Sequence, residues 1–136
     1  MPEKTFKLEI VTPERAVLAE DAVSLTVPGV EGSLGVLAGH APLMAELAVG
    51  EIWFRNAEGK IIRLAASGGF MEVEGNTVRI LADTAERAEE IDVARAEEAR
   101  KRAEERLRSQ SAATDNARAE AALKRALNRL RVAGGD

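Results

Sequence analysis

Along roughly the first two thirds of the chain, short runs of alternating apolar and polar residues are separated by turn formers. "FKLEIV", "AVSLTV", "EIWFRN", "KIIRLAA", "FMEVEG" and "TVRILA" are enriched in β-branched or aromatic residues, and "NAEG", "SGG" and "EGN" supply turns between them. In "TVRIL", Val78 and Ile80 point one way and Thr77, Arg79 and Leu81 the other, as a half-buried strand requires. Nothing between these runs is long enough for a crossover helix, so they predict an antiparallel β-sandwich or barrel. From Ile91 the period becomes helical. Ile91, Ala94, Ala99, Ala103 and Leu107 fall roughly on one stripe, and Ala119, Ala122, Leu123, Ala126, Leu127 and Leu130 form a cleaner one. "SQSAATDN" interrupts the two and offers Thr114 and Asp115 as N-caps. The expected architecture is β + α: an N-terminal antiparallel β-sandwich or barrel over residues 1–86, then a C-terminal two-helix hairpin over 87–136.

Composition divides at the same place. All four prolines, the single Trp, the three Phe and nine of the eleven glycines precede residue 90. Residues 1–90 carry 15 acidic and 8 basic side chains (net −7), and residues 91–136 carry 8 and 11 (net +3), so the chain is two modules of opposite sign. The hairpin stripe is mostly alanine, which buries far less area than leucine at ~25 cal/mol per Å², and the hairpin should be marginal alone. Acid-first i, i+4 pairs (Glu97 with Lys101, Glu98 with Arg102, Glu104 with Arg108, Glu120 with Lys124) favour helix without fixing how the helices pack.

Several classes of function are disfavoured. With no cysteine and one histidine there is no thiol nucleophile, thiolate metal site or histidine cluster. "PGVEGSLGVLAGHAPLMAEL" is glycine-rich, but it contains neither phosphate-loop pattern and no following helix, so it reads as turns and bulges between strands. His40 has no triad partner in the pattern and reads as a turn or interface residue. No apolar run approaches the ~20 residues of a membrane span, and "MPEKTFKLEI" lacks the order of a signal peptide. A net charge of −4 and no aromatic residue after Phe70 argue against nucleic-acid binding.

Three pieces in order, "GSLGVLAGHAPLM", "ASGGFMEVEGNTVRILADTAERAEEID" and a helical hairpin ending "ALKRALNRL", resemble the ε subunits of bacterial F-type ATP synthases over essentially the whole chain. The resemblance implies a non-catalytic regulatory subunit of a proton-translocating synthase, a peripheral protein on the cytoplasmic face of the bacterial membrane. Its sandwich would join the γ subunit to the c-ring, with His40, Leu43 and Met44 at a partner interface. Its hairpin would move between a folded state and one extended along γ to the catalytic αβ hexamer, where an acidic segment of β would meet its arginines and hydrolysis would stop. No cofactor is implied, but a regulatory ATP ligand is.

Some members of that family bind ATP through a motif of the form I/L-D-x-x-R-A on the first helix. "IDVARA" matches it with Ile91, Asp92, Arg95 and Ala96. Glu86 matches an upstream acid facing the adenine amine, Arg102 a further first-helix arginine, and Arg125 and Arg129 the second-helix pair. Carboxylates accept from the amine and guanidinium groups bind phosphate oxygens in bidentate fashion, so one nucleotide would bridge both helices. The competing reading is a helical-hairpin adaptor without nucleotide sensing, in which these arginines are helix surface.

Overall fold

The computed structural model describes residues 4–109 and 115–134. It divides into two compact units, Met1–Arg87 and Ala88–Asp136. The first holds seven strands: β1 (Phe6–Val11), β2 (Ala16–Gly29), β3 (Gly32–Leu37), β4 (Leu43–Leu47), β5 (Gly50–Asn56), β6 (Ile61–Glu74) and β7 (Thr77–Arg87). The second holds a 3₁₀ turn (Ala88–Glu90) and helices α1 (Val93–Ser109) and α2 (Asn116–Gly134).

Two long strands serve both layers of the sandwich. The first part of β2 pairs with β1, and its second part with β3 and β5. The first part of β6 pairs with β5, its second part with β4, and β7 runs along nearly all of it. β2 changes partners at an irregularity, its register shifting between Ala22 and Ser24. An extra residue of this kind bends a strand and lets it pass from one layer to the other. β6 changes partners around Gly68 and Gly69 while its register with β7 stays unbroken. Gly68 and Gly69 both have positive φ, 66° and 113°, and a Cβ on Gly69 would overlap the Leu81 carbonyl oxygen, so the position needs glycine for conformation and for space.

This arrangement differs from the sequence reading in three ways. "KIIRLAA" and "FMEVEG" belong to one 14-residue strand, because "SGG" continues the strand in register and makes no turn. The glycine-rich stretch read as turns contains β3 and β4, whose residues pair with β2 and β6. One pair, β1 with β7, is parallel, with Leu8 opposite Val78 and Ile10 opposite Ile80.

The alternation expected of "TVRIL" holds, since Val78 and Ile80 are buried while Leu81 is 52% exposed. Val78 and Ile80 join Leu8, Ile10, Leu25, Ile52, Phe54, Leu64 and Met71 in one apolar cluster between the layers. The turn after β5 is organised by the buried Asn56, whose Oδ1 accepts from the Glu58 N–H at 3.0 Å and the Lys60 N–H at 2.9 Å. Its side chain thus does for the turn what backbone carbonyls do elsewhere.

In the helical unit α1 packs on α2. The buried face is narrower than the predicted stripes: Ala96 and Ala103 from α1, and Ala119, Ala126, Asn128 and Val132 from α2. Ala94 is exposed, and Leu127 is 48% exposed. The α1 stripe was mis-phased because Ala94, nine residues before Ala103, falls on the opposite side of the helix, whereas Ala96, seven before, falls in line with it.

Candidate nucleotide-binding site on the helical unit

The motif "IDVARA" folds as the start of α1. Asp92 is the residue before the helix, and its Oδ1 accepts from the Arg95 N–H at 3.1 Å while its carbonyl accepts from the Ala96 N–H at 3.0 Å. This is an N-cap, a side-chain oxygen satisfying one of the orphan amides of the first turn. Ile91 and Ala96 are both buried, at 8% and 0% exposure, and occupy the positions before the cap and four after it that a hydrophobic staple uses. Three of the four specified motif residues therefore have work to do in starting the helix. Arg95 is the exception: its side chain is exposed and makes no hydrogen bond or ion pair with a described residue.

The motif match offers Asp92 and Arg95 together as ligands. Asp92 lies outside the helix, one of its carboxylate oxygens is engaged at the cap, and the other remains available as an acceptor. The signal was legible, since an Asp immediately before an apolar-periodic run is the same N-cap signature that singled out Asp115. Asp115 indeed caps α2, its Oδ1 accepting from the Arg118 N–H at 3.1 Å. Thr114, the other candidate, lies outside the described residues.

Of the remaining candidates, Arg102 is exposed on α1 and Arg125 exposed on α2, each without a described partner. Arg129 is half-buried on α2 and does have a polar partner. Glu86 lies in β7 opposite Ala65, on the sandwich side of the division between units, and is also engaged. The predicted acid-first pairs are not made among the described residues. Arg100 takes the acids instead, with Glu97 at 2.7 Å and Glu104 at 2.8 Å. The hydrogen bonds it donates to Glu97 first, and then the charge of Glu104, hold its guanidinium more firmly protonated than usual. Arg95 and Arg102 on α1 and Arg125 on α2 are thus exposed and without a carboxylate partner among the described residues. Among the described residues no group of His, Asp and Glu could hold a metal ion.

On the sandwich, the three candidate interface residues have different surroundings. His40 is half-buried in the turn after β3, with Nδ1–H donating to the Ala41 carbonyl at 2.6 Å and its backbone N–H to the Leu37 carbonyl at 3.2 Å. Leu43 is half-buried and packs on the core, whereas Met44 is 67% exposed. Leu43 and Met44 line an open groove of about 420 Å³ together with Val30, Glu31 and Leu34. Two apolar surface residues escaped the sequence reading as interface candidates. Phe70 (51% exposed) and Leu81 (52%) stand opposite each other on β6 and β7, and Phe70 also faces Glu46 of β4. The alternation of "TVRIL" had already put Leu81 on the solvent side, so an apolar residue in a polar register was the available signal.

Comparison with known proteins agrees with this architecture. Residues 5–88 match the family described as ATP synthase, Delta/Epsilon chain, beta-sandwich domain, and residues 89–134 match its long alpha-helix domain. The ATP synthase epsilon chain of Pelotomaculum thermopropionicum is 58% identical over 107 residues, 79% of each chain. That of Moorella thermoacetica is 54% identical over 111 residues, 82% of this chain and 83% of its own. A chain in the Euglena gracilis mitochondrial ATP synthase, in a structure of its OSCP, F1 and c-ring, superposes with a TM-score of 0.77 at 30% identity, covering 88% of this chain and 76% of that one. Family models spanning both units, together with relatives identical at more than half of the aligned positions, establish that this chain belongs to the ATP synthase delta/epsilon family, as an epsilon chain.

Proposed function

We propose that the chain is a non-catalytic rotor subunit of a proton-translocating F-type ATP synthase, on the cytoplasmic face of the membrane. Its sandwich joins γ to the c-ring, and its hairpin restrains ATP hydrolysis by the αβ hexamer unless ATP holds the helices together. The observation that carries the nucleotide part is the set of exposed arginines, Arg95 and Arg102 on α1 and Arg125 on α2, without carboxylate partners among the described residues. An alanine interface supports the switch, because two packings of a weakly buried hairpin differ by only a few kcal/mol. Exposed Met44, Phe70 and Leu81 support a docking role for the sandwich. ATP is a ligand here and not a substrate: by linkage it stabilises the state that binds it, by about 2.7 kcal/mol at a hundred times its Kd.

One observation favours the adaptor reading. The cap and staple give Ile91, Asp92 and Ala96 a purely structural reason to be present. Calorimetry separates the two. Saturable one-to-one ATP binding, weakened in both Arg95→Ala and Arg129→Ala, is expected; no heat at about millimolar ATP, a binding energy near 4 kcal/mol, would leave the motif as helix surface. For the regulatory part, the assembled complex is assayed for hydrolysis with the chain truncated after Ala88. Unchanged inhibition rules out the hairpin as its source.

A further inference from the structure

The two helices are copies of one another. Of the 17 positions from Asp92 to Arg108, 12 carry the same residue 23 positions later, in Asp115 to Arg131. The correspondence extends to the fold. Asp92 and Asp115 cap their helices at the same 3.1 Å, and the buried alanines Ala96 and Ala103 correspond to the buried Ala119 and Ala126. A hairpin built this way has an approximate two-fold axis between its helices.

That symmetry sorts the arginines. A helix turns by about 100° per residue, so in an antiparallel pair meeting at these alanines, residues one before and three after each alanine emerge on the same side from both helices. Those positions hold six arginines, Arg95, Arg102, Arg106, Arg118, Arg125 and Arg129, around the half-buried Ala99 and Ala122. Asp92 and Asp115 lie on this face, one oxygen of each engaged at its own helix start, and Glu98 borders it without pairing with Arg95 or Arg102 among the described residues. Residues one and four after each alanine form the other side, which is leucine and glutamate with a single arginine, Arg100, already paired with Glu97 and Glu104. Arg106 and Arg118, like Arg95, Arg102 and Arg125, have no described side-chain partner.

We propose that the hairpin carries a second anion site near its loop end, in which Arg118, Arg106 and Arg102 repeat the arrangement of Arg95, Arg129 and Arg125, and that it takes a triphosphate without preference for a base. Base indifference follows from what the repeat omits: 23 positions after Glu86 and Ile91 stand Ser109 and Thr114, so the acid matched to the adenine amine does not recur, while the arginines do. The inference rests on the reading of the first site for the role of arginine toward phosphate, and guanidinium forks bind such oxygens in bidentate fashion.

The probe is inorganic tripolyphosphate, titrated into the full chain while the arginine Nε–Hε signals are followed by NMR. Saturable shifts at Arg106 and Arg118 are expected, with affinity lowered about tenfold, one charge-assisted contact, in either Arg118→Gln or Arg106→Gln. Lys101→Gln, which removes a charge away from this face, should change the affinity by less than about twofold. Equal loss in Lys101→Gln would mean diffuse charge attraction and overturn the proposal, as would the absence of any tripolyphosphate binding. Shifts confined to Arg95, Arg102, Arg125 and Arg129 would overturn it while leaving the ATP site intact. Tripolyphosphate binding that depends on Arg118, in a chain that fails to bind ATP at Arg95, would uphold the second site and refute the first.

Discussion

Asp92 has a role that can be separated from nucleotide binding by choosing the substitution. Its Oδ1 accepts from the Arg95 N–H, so Asp92→Ala leaves an amide of the first turn without its partner and should cost about 1 kcal/mol, within the 0.5–2 typical of lost caps. The comparison that makes this large is the interface itself. Ala96, Ala103, Ala119 and Ala126 each bury a methyl group worth about 0.8 kcal/mol, or about 3 kcal/mol together before entropy is set against it. Losing the cap therefore removes about a third as much as the alanine seam supplies. Hydrogen exchange reads it directly: protection of the Arg95 amide and of the α1 amides beyond it should fall about fivefold in Asp92→Ala. Asp92→Ser, whose hydroxyl caps as well, should restore it. Unchanged protection in Asp92→Ala, or equal loss in Asp92→Ser, would refute the cap argument. ATP titration of Asp92→Ser then isolates the carboxylate, since lost binding with an intact helix means that Asp92 itself touches the ligand.

Other expectations follow from the same geometry. Asp115→Ala should destabilise α2 by about 1 kcal/mol, seen as faster exchange at the Arg118 amide. Gly69→Ala meets both a positive φ and the Leu81 carbonyl oxygen, and should lower sandwich stability by about 2–4 kcal/mol in urea unfolding. Ala103→Leu forces the helices apart and should cost about 1–3 kcal/mol, lowering the melting temperature of the helical signal before that of the sandwich. Leu81→Lys should leave the isolated chain within about 0.5 kcal/mol of the parent, while reducing copurification with γ if this face docks there.

The parts of the fold that were legible in the sequence rest on local periodicity. "TVRIL" was read correctly because Val78 and Ile80 are buried by the same two-residue alternation that the letters show. β3 and β4 were missed because "GSLGVL" and "LMAEL" are short and sit among glycines, and their pairing is with distant residues of β2 and β6. The parallel pairing of β1 with β7 is non-local in the same sense, as nothing within "FKLEIV" names its neighbour. In the hairpin, alanine occurs on several faces of α1, so its pattern alone does not single out Ala96 and Ala103 as the buried pair. The motif falls at the start of α1, and the capping part of it follows from the N-cap signature alone. The cap at Asp92 explains the acid without a ligand, and leaves Arg95 as the residue whose presence the helix does not require.

This division of roles changes what a motif match means. Since Ile91, Asp92 and Ala96 serve helix initiation, they would be retained whether or not a nucleotide binds, and the sensing function would then rest on arginines that cost the fold little to keep or lose. The small interface gives those arginines leverage. About 3 kcal/mol of alanine burial is of the same size as the 2.7 kcal/mol or so that a ligand contributes at a hundred times its Kd, so ligand occupancy would decide the packing of the helices. Leucines at the four buried alanine positions, each worth about 1.5–3 kcal/mol when fully buried, would exceed the ligand contribution several-fold. Such a hairpin would stay closed at any ATP concentration, so responsiveness to a nucleotide requires a seam as weak as the one that alanine provides.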